Sequence, residues 1–199
     1  WHYMFGGQSS VPIVIRLIIG RGWGQGPTHS QSLQSWFAHI PGLKVVMPSS
    51  PREAKGLLLS SIFDENPILF LEHRWLHNQE EDVPKGDFRI PLGTANIIRH
   101  GTDITIVGMS YMNTEALRCL EFLKLQGISC ELIDLRSINP IDWKTIIKSV
   151  KKTKRLLVLD TGSETGSLAA EIITRVSIEL FSEMVIAPAR ICLPDAPVP

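Results

Sequence analysis

Apolar residues along the first part of the chain alternate between short continuous runs and longer runs with helical spacing. The run Pro12–Ile19, "PIVIRLII", contains one charge, which predicts a strand buried on both faces. "LKVVMP" and "ILFLEH" predict two further strands. Helices are expected over residues 30–40 and from Pro51 to about Phe63. Ser50 at the cap position, with Glu53 three residues later, is typical of a helix start.

Residues 74–90, "RWLHNQEEDVPKGDFRI", break this alternation with an acidic cluster, a proline and a glycine. Such composition is typical of a connection between domains. We therefore predict a first domain over residues 1–75, a linker over 76–88 and a second domain over 89–199.

The second domain carries a cleaner alternation of predicted strands and helices. Strands are predicted at "DITIVGM", "SCELIDL", "RLLVLD" and "ARICLP". Three helices join them, at "NTEALRCLEFLKLQG", "DWKTIIKSVKKT" and "SLAAEIITRVSIELF". Four strands joined by three helices imply a mostly parallel sheet covered by helices. The fold class is therefore α/β, with an incomplete first unit and a nearly complete second one.

The composition of the chain disfavours several classes of protein. The 20 basic and 20 acidic residues give a formal net charge of zero, which disfavours a nucleic-acid-binding protein. No apolar run approaches the ~20 residues that cross a membrane. Cys119, Cys130 and Cys192 form no CxxC pair, and we interpret them as small buried hydrophobes in a reducing compartment.

His29 is the strongest candidate for chemistry. It follows "GWGQGPT", a glycine-rich turn after the strand at Pro12–Ile19, and we place it at the start of the helix over 30–40. A loop with few side chains approaches a ligand closely, and ligands of parallel sheets lie beyond the carboxyl ends of strands. The alternative is a histidine that merely caps the helix.

The remaining polar motifs favour structural roles. His39 suits packing, His73 and His77 flank the linker, and His2 and His100 look incidental. Arg136, in "DLRSINPID", is expected to organise its loop or an interface. "TGSETGS" precedes a helix without a lysine at P-loop spacing, so a helix cap is favoured over a phosphate site.

Two blocks, "HSQSLQSWFAHIPGLKVV" and "DLRSINPID", together resemble the β subunit of the thiamine-diphosphate-dependent 2-oxo acid dehydrogenase E1 component. The resemblance continues through "GTDITIVG", "KTKRLLVLD" and "LPDAPVP". It implies part of a transketolase-like pyrimidine-binding domain followed by a transketolase C-terminal-like domain. It also implies oxidative decarboxylation of a 2-oxo acid with acyl transfer to a lipoyl group, and it makes His29 the active histidine near the thiazolium.

The same resemblance implies cofactors and partners. Thiamine diphosphate is shared with an α subunit that holds the diphosphate and Mg²⁺, and the partners are that α subunit, a second β subunit and lipoyl-bearing E2. A structural potassium ion is implied at "SSIFDENP", with the carbonyls of Ser61 and Asp64, the side chain of Asn66 and a carbonyl near Ile13 as ligands. From the residues alone, this segment is an ordinary turn.

One departure from the family pattern bears on whether the chain is active alone. The glutamate that activates the aminopyrimidine and the aromatic residue that stacks on it lie upstream of the active histidine in the family. Glu53 and Glu72 lie downstream, so neither matches. We therefore expect the chain to be a piece of a longer subunit, inactive alone, from the cytoplasm or a mitochondrial matrix.

Two other functions stay open. A split transketolase or a deoxyxylulose-phosphate synthase-like enzyme would need basic residues for a sugar phosphate, and Arg16, Arg21 and Arg74 do not form a recognisable set. A module that only dimerises or docks to E2 would be recognised by dimerisation without cofactor.

Overall fold

The computed structural model describes residues 1–22 and 24–198. Trp23, in the predicted glycine-rich turn, and Pro199, the last residue of the predicted second domain, lie outside the described residues. The first part of the chain contains three strands and three helices followed by a 3₁₀ turn, Arg74–Leu76. In chain order these are β1 (Val14–Ile19), α1 (Gly26–His29), α2 (Gln34–Ala38), β2 (Lys44–Val46), α3 (Pro51–Ile62) and β3 (Ile68–His73).

The second part of the chain forms a five-stranded sheet covered by three helices. Its strand order is β4-β6-β5-β8-β9, in which β4 is antiparallel to β6 and the other neighbours are parallel. The predicted parallel series is therefore confirmed, and β4 is an additional edge strand. The elements are β4 (Asn96–Arg99), β5 (Ile104–Gly108), α4 (Tyr111–Leu125), β6 (Cys130–Asp134), β7 (Ser137–Asn139), α5 (Trp143–Thr153), β8 (Leu156–Ser163), α6 (Leu168–Leu180) and β9 (Ala189–Leu193).

The two parts share a sheet. The first sheet has the order β1-β3-β2-β7, with β1 and β2 parallel to β3 and β7 antiparallel to β2. Strand β7 comes from the second part of the chain, so it crosses over to complete the first sheet. Sequence patterns did not predict β7, because three residues carry no periodicity.

Strand β1 lies at the open edge of this sheet, and the prediction that both its faces are buried is wrong. Ile15 and Ile18 are 46% and 61% exposed, whereas Ile19 is buried. These side chains are exposed because β1 is an edge strand: within the described residues only β3 pairs with it.

The helix predicted over residues 30–40 is shorter than expected, Gln34–Ala38 (α2), and a separate short helix, α1, precedes it. Pro27 lies in the first turn of α1, which ends at His29, and α2 starts at Gln34. Proline favours the first turn of a helix, so the helix starts earlier than the apolar pattern suggests. The expectation that His29 stands at a helix start is therefore wrong, since His29 is the last residue of α1.

The predicted linker and the residues just after it pack along α3. The Ile90 amide donates to Gly56 O (3.1 Å), Ser60 Oγ donates to Ile90 O (2.6 Å), and the Arg52 amide donates to Glu81 Oε2 (3.0 Å). This segment is therefore held against the first part of the chain. The domain bounds 1–75 and 89–199 stay a prediction.

The three cysteines are free, as predicted, but their burial differs. Cys130 on β6 is buried and Cys192 on β9 is half-buried, whereas Cys119 is exposed. The prediction of a buried Cys119 is wrong, because its position falls on the solvent side of α4.

A cluster of acids and one arginine joins the two parts beside β7. Ser50 Oγ accepts the Glu53 amide at 3.3 Å, which confirms the predicted cap, but the Glu53 side chain turns to the second part of the chain. Its Oε1 accepts Arg136 Nε at 2.6 Å. Ser49 Oγ lies 2.7 Å from Glu53 Oε2 and 2.5 Å from Asp134 Oδ2. The expected role of Arg136 at an interface agrees with this contact.

This environment shifts the pKa values of Asp134 and Glu53 in opposite directions. Burial raises the pKa of Asp134 well above its usual value, and the charge of Glu53 adds to the rise. Burial alone would raise the pKa of Glu53, but the hydrogen bond with Asp134 and the charge of Arg136 outweigh it, so the pKa is lowered. Ser49 has a single proton to share between two carboxyls. A proton on Asp134, which its raised pKa favours, would supply the second hydrogen bond.

Asp134→Asn tests this arrangement through the pH dependence of stability. The raised pKa of Asp134 stabilises the fold at low pH, and that contribution is lost as the pH rises through the folded-state pKa. The amide has no proton to lose. We therefore expect the unfolding free energy of the variant, relative to the native chain, to rise above pH 4 by up to about 1.4 kcal/mol per pH unit, as for a one-proton difference. Denaturant titrations across pH 4–8 measure it, and a pH-independent difference would contradict a protonated Asp134.

Candidate functional site

A cavity of about 480 Å³ lies at the carboxyl end of β1. One side of it is apolar and is formed by β1 and the segment around α2. The other side carries titratable and amide groups, among them the predicted residue His29. The lining includes Leu17, Ile19, Leu33 and Phe37 on the apolar side and Gln25, His29, Gln31, Arg74 and His77 on the polar side.

Residues 20–33, here called the His29 loop, carry the predicted histidine. Gly20 N donates to Gln31 O at 3.3 Å, which closes the loop at the end of β1. Gln31 Nε2 donates to Pro27 O at 2.9 Å and fixes the turn around α1. The ring of His29 is exposed at the cavity, so it is accessible to a ligand.

Arg74 reaches the same site from β3. The parallel register pairs Ile19 with His73, so β1 and β3 end at one edge and Arg74 follows directly. Arg74 is 4% exposed, and its guanidinium donates to Gln25 Oε1 and to the backbone carbonyl of His29. Sequence patterns place Arg74 at the start of the polar segment 74–90 and do not predict this contact. The signal available was the parallel pairing, which brings residues after both strands together.

The residues on either side of Arg74 pack against glycines of the His29 loop. Gly20 and Gly22 have φ angles of +96° and +104°, which favour glycine. A Cβ on Gly20 would lie 2.3 Å from His73 Nε2, and one on Gly22 would lie 2.3 Å from Trp75 Nε1. The absence of these two side chains therefore lets the loop lie directly on the two rings.

His73 is a packed, uncharged ring rather than an acid–base group. It stacks on Tyr111 with ring centroids 4.9 Å apart, and Trp75 meets the same tyrosine edge-on. Burial, together with the charge of Arg74, lowers the pKa of His73 to about 4. His73 is thus neutral at pH 7. It supports the wall behind the cavity that His29 and His77 line.

A second contact fastens the far end of the His29 loop to the other part of the chain. Gln34, buried at the start of α2, donates from Nε2 to Asp160 Oδ1 at 2.6 Å. Asp160 Oδ2 accepts the Ala169 amide at the start of α6 (3.1 Å). Sequence spacing gave no signal for this bond, because 126 residues separate the partners.

The other predicted positions lie away from this cavity. His39 is exposed, His2 Nδ1 lies 2.8 Å from Ser9 O, and the exposed His100 lies 3.5 Å from Glu131. Ser167, in "TGSETGS", accepts the Ala170 amide at 3.2 Å, so this segment caps α6 as favoured.

Two of the four predicted potassium ligands, the carbonyls of Ile13 and Ser61, accept backbone hydrogen bonds within the fold. The Ile13 carbonyl accepts the Ile68 amide at 2.8 Å, and the Ser61 carbonyl accepts the Asp64 amide at 3.3 Å. The Asp64 carboxylate accepts Lys44 Nζ at 2.5 Å and Asn66 Nδ2 at 2.8 Å. The positive charge of Lys44 therefore lies next to the predicted potassium ligands. The described residues also contain no cluster of three or more His, Cys, Asp or Glu that could hold a metal. Potassium stays a prediction.

Comparison with known proteins gives matches to both parts of the chain. Residues 1–79 match the family "Transketolase, pyrimidine binding domain", and residues 93–199 match "Transketolase, C-terminal domain". A solved split-gene transketolase in an inactive β4 tetramer has a similar fold, with a TM-score of 0.72 at 21% identity over 92% of this chain and 57% of that one.

Three relatives extend the comparison. The acetoin:2,6-dichlorophenolindophenol oxidoreductase subunit beta of Cupriavidus necator is 42% identical over 100% of this chain and 59% of its own length. The pyruvate dehydrogenase E1 component subunit beta of Rhizobium meliloti is 44% identical over 99% and 43%. The mitochondrial 2-oxoisovalerate dehydrogenase subunit beta 2 of Arabidopsis thaliana is 46% identical over 87% and 49%.

This chain therefore spans about half the length of these relatives. Two of them carry names that agree with the predicted resemblance to 2-oxo acid dehydrogenase β subunits. The match to the C-terminal family covers more than half of the chain, and the match to the pyrimidine-binding family precedes it. The chain belongs to the transketolase family, with sequence of its pyrimidine-binding domain followed by its C-terminal domain.

Proposed function

We propose that this chain is part of the β subunit of a 2-oxo acid dehydrogenase E1 component, which decarboxylates a 2-oxo acid and transfers the acyl group to a lipoyl group on E2. The observation that supports it most is the accessible His29 ring in a cavity at the carboxyl end of β1. Relatives named as pyruvate and 2-oxoisovalerate dehydrogenase β subunits support the same proposal.

His29 is proposed as the group that moves protons. A neutral imidazole accepts a proton at one ring nitrogen and, once charged, donates it to a developing anion. In acyl transfer to a lipoyl disulfide, one sulfur becomes acylated and the other leaves as a thiolate that needs a proton. His29 supplies that proton in the proposed reaction. Leu17 and Phe37 form an apolar wall of the cavity beside it.

Thiamine diphosphate is the cofactor implied by this proposal, and it supplies the electron sink for decarboxylation when bound. The cavity fits as one wall of its site, since it joins an apolar surface to the His29 ring. The α subunit is proposed to hold the diphosphate and Mg²⁺. No part of the proposal depends on potassium. Among the described residues no helix is long and apolar enough to cross a membrane. Mitochondrial relatives make the matrix one proposed location.

His29→Ala in the complete β subunit, paired with its α partner, tests the catalytic proposal. We expect lipoyl acylation to fall roughly 10²-fold or more, the usual size of a general acid–base contribution. His39→Ala is the matched control, because His39 is exposed and lies outside the cavity, and it should leave acylation unchanged. Equal acylation rates for His29→Ala and native enzyme would remove His29 from the reaction.

Calorimetric titration of thiamine diphosphate with Mg²⁺ tests the division of the cofactor site. We expect no measurable binding to this chain alone and tight binding to the complete α–β pair, because this chain supplies one wall only. Tight binding to this chain alone would mean that it holds a whole site and that the proposed subunit assignment is wrong.

A role in assembly is the second candidate function, and exposed apolar side chains at the end of α6 favour it. Ile178 and Phe181 are 77% and 83% exposed, and Val185 and Ile186 follow at 58% and 62%. Several exposed apolar side chains close together in the sequence favour a contact with another chain. We propose a second β subunit as the chain that covers it.

Phe181→Asp tests this contact by sedimentation of the chain without cofactor. We expect the variant to dissociate to monomers at concentrations where the native chain is dimeric, because a charge would be buried in an apolar interface. Leu125→Asp is the matched control, since Leu125 is also 83% exposed but lies on α4. Equal dimerisation of Phe181→Asp and native chains would contradict the assignment.

A further inference from the structure

The helix that carries His29 is too short to hold its own shape. Helix α1 has four residues, Gly26–His29, and its cap residue Gln25 makes no side-chain bond to the helix amides. An isolated turn of helix is unfavourable, because fixing its backbone costs more than its one or two hydrogen bonds return. Contacts from outside must therefore set the position of His29.

Arg74 makes those contacts at both ends of α1. One guanidinium nitrogen donates to Gln25 Oε1 before the first residue, and the other donates to the His29 carbonyl at the last. A helix ends with carbonyls that lack helical partners, and a cation suits that end. The rigid fork of a guanidinium reaches two acceptors at once, which a lysine ammonium does less well.

Arg74 is itself held on both sides. His73 and Trp75 contact Gly20 and Gly22, so the segment that carries the guanidinium lies against the same loop it binds. The His73–Tyr111 stack then anchors this segment on α4. Movement of Arg74 is thus limited by packing. The His29 carbonyl is held from a fixed point rather than by a mobile surface side chain.

We propose that Arg74 is a positioning residue for His29: it clamps α1 at Gln25 and at the His29 carbonyl and so holds the imidazole at the geometry that the reaction needs. This proposal rests on the proposed role of His29. Arg74 acts through His29, so its removal should matter only while His29 is present.

A double-mutant cycle in the complete subunit, paired with its α partner, tests this dependence. We expect Arg74→Met to lower kcat for lipoyl acylation about 10²-fold with little change in KM, as a misplaced catalytic group does. Arg74→Lys should lose less, because one of the two bonds survives. In the His29→Ala background, Arg74→Met should lower kcat no further. The same fold-loss in both backgrounds would overturn the proposal, since general destabilisation does not depend on His29.

Two further variants separate loss of the clamp from misfolding and from the general loss of an arginine. Gln25→Ala removes the other end of the clamp from an exposed side chain, and it should lower kcat less than Arg74→Met and again only with His29 present. This variant decides the question if Arg74→Met fails to fold. Arg16→Met is the control for loss of an arginine, because Arg16 is exposed on β1 and pairs with Glu72 at 2.8 Å. It should leave kcat unchanged.

Hydrogen–deuterium exchange separates this proposal from the proposed function. We expect Arg74→Lys to speed exchange in peptides covering residues 24–33 and to leave β3 unchanged, because the clamp is local. If the native enzyme shows no 2-oxo acid dehydrogenase activity, the proposed function fails, and the exchange experiment still decides the clamp. Unchanged exchange in residues 24–33 would overturn it.

Discussion

The pairing of β7 with β2 is the constraint on which the rest of the molecule depends. Three residues from the second part of the chain, Ser137–Asn139, form the fourth strand of the first sheet. The Asn139 amide group then donates to the carbonyls of Ala38 and Leu43, which bound the connection after α2. Helix α2, whose Phe37 lines the cavity beside His29, is therefore held in place by a strand from the second part of the chain.

Buried polar groups keep this junction in one register. A low-dielectric interior strengthens a satisfied hydrogen bond and penalises an unsatisfied one, so a polar contact tolerates less sliding than an apolar one. Two polar contacts of this kind lie at separate places in the junction: Arg136 donates to Glu53, and Gln34 donates to Asp160. The raised pKa of Asp134 reduces the charge that a second buried acid would add beside Glu53. The junction combines apolar packing with these two polar contacts, each of which needs a single geometry.

Sequence patterns predicted the parts of the fold whose stability is local. Strand β3 spans Ile68–His73 as its apolar run indicates, and Ser50 caps α3 as expected. His29 was selected as a candidate because a glycine-rich turn after a strand is a local signal. Strand β7, the break before Gln34 and the role of Arg74 depend on residues far away in the chain, and no periodicity reports them. Arg74 lies next to a strand end, so its position was predictable although its partners were not.

Strand β1 has a consequence for how this molecule behaves when it is made alone. An edge strand presents backbone donors and acceptors that can template pairing with another copy, and exposed Ile15 and Ile18 add apolar surface to that edge. The charge of Arg16 on the same strand opposes such pairing only weakly, because Glu72 neutralises it. Aggregation through β1 therefore competes with correct assembly at high concentration. Preparation at low protein concentration disfavours this pairing, because it needs two copies of the chain.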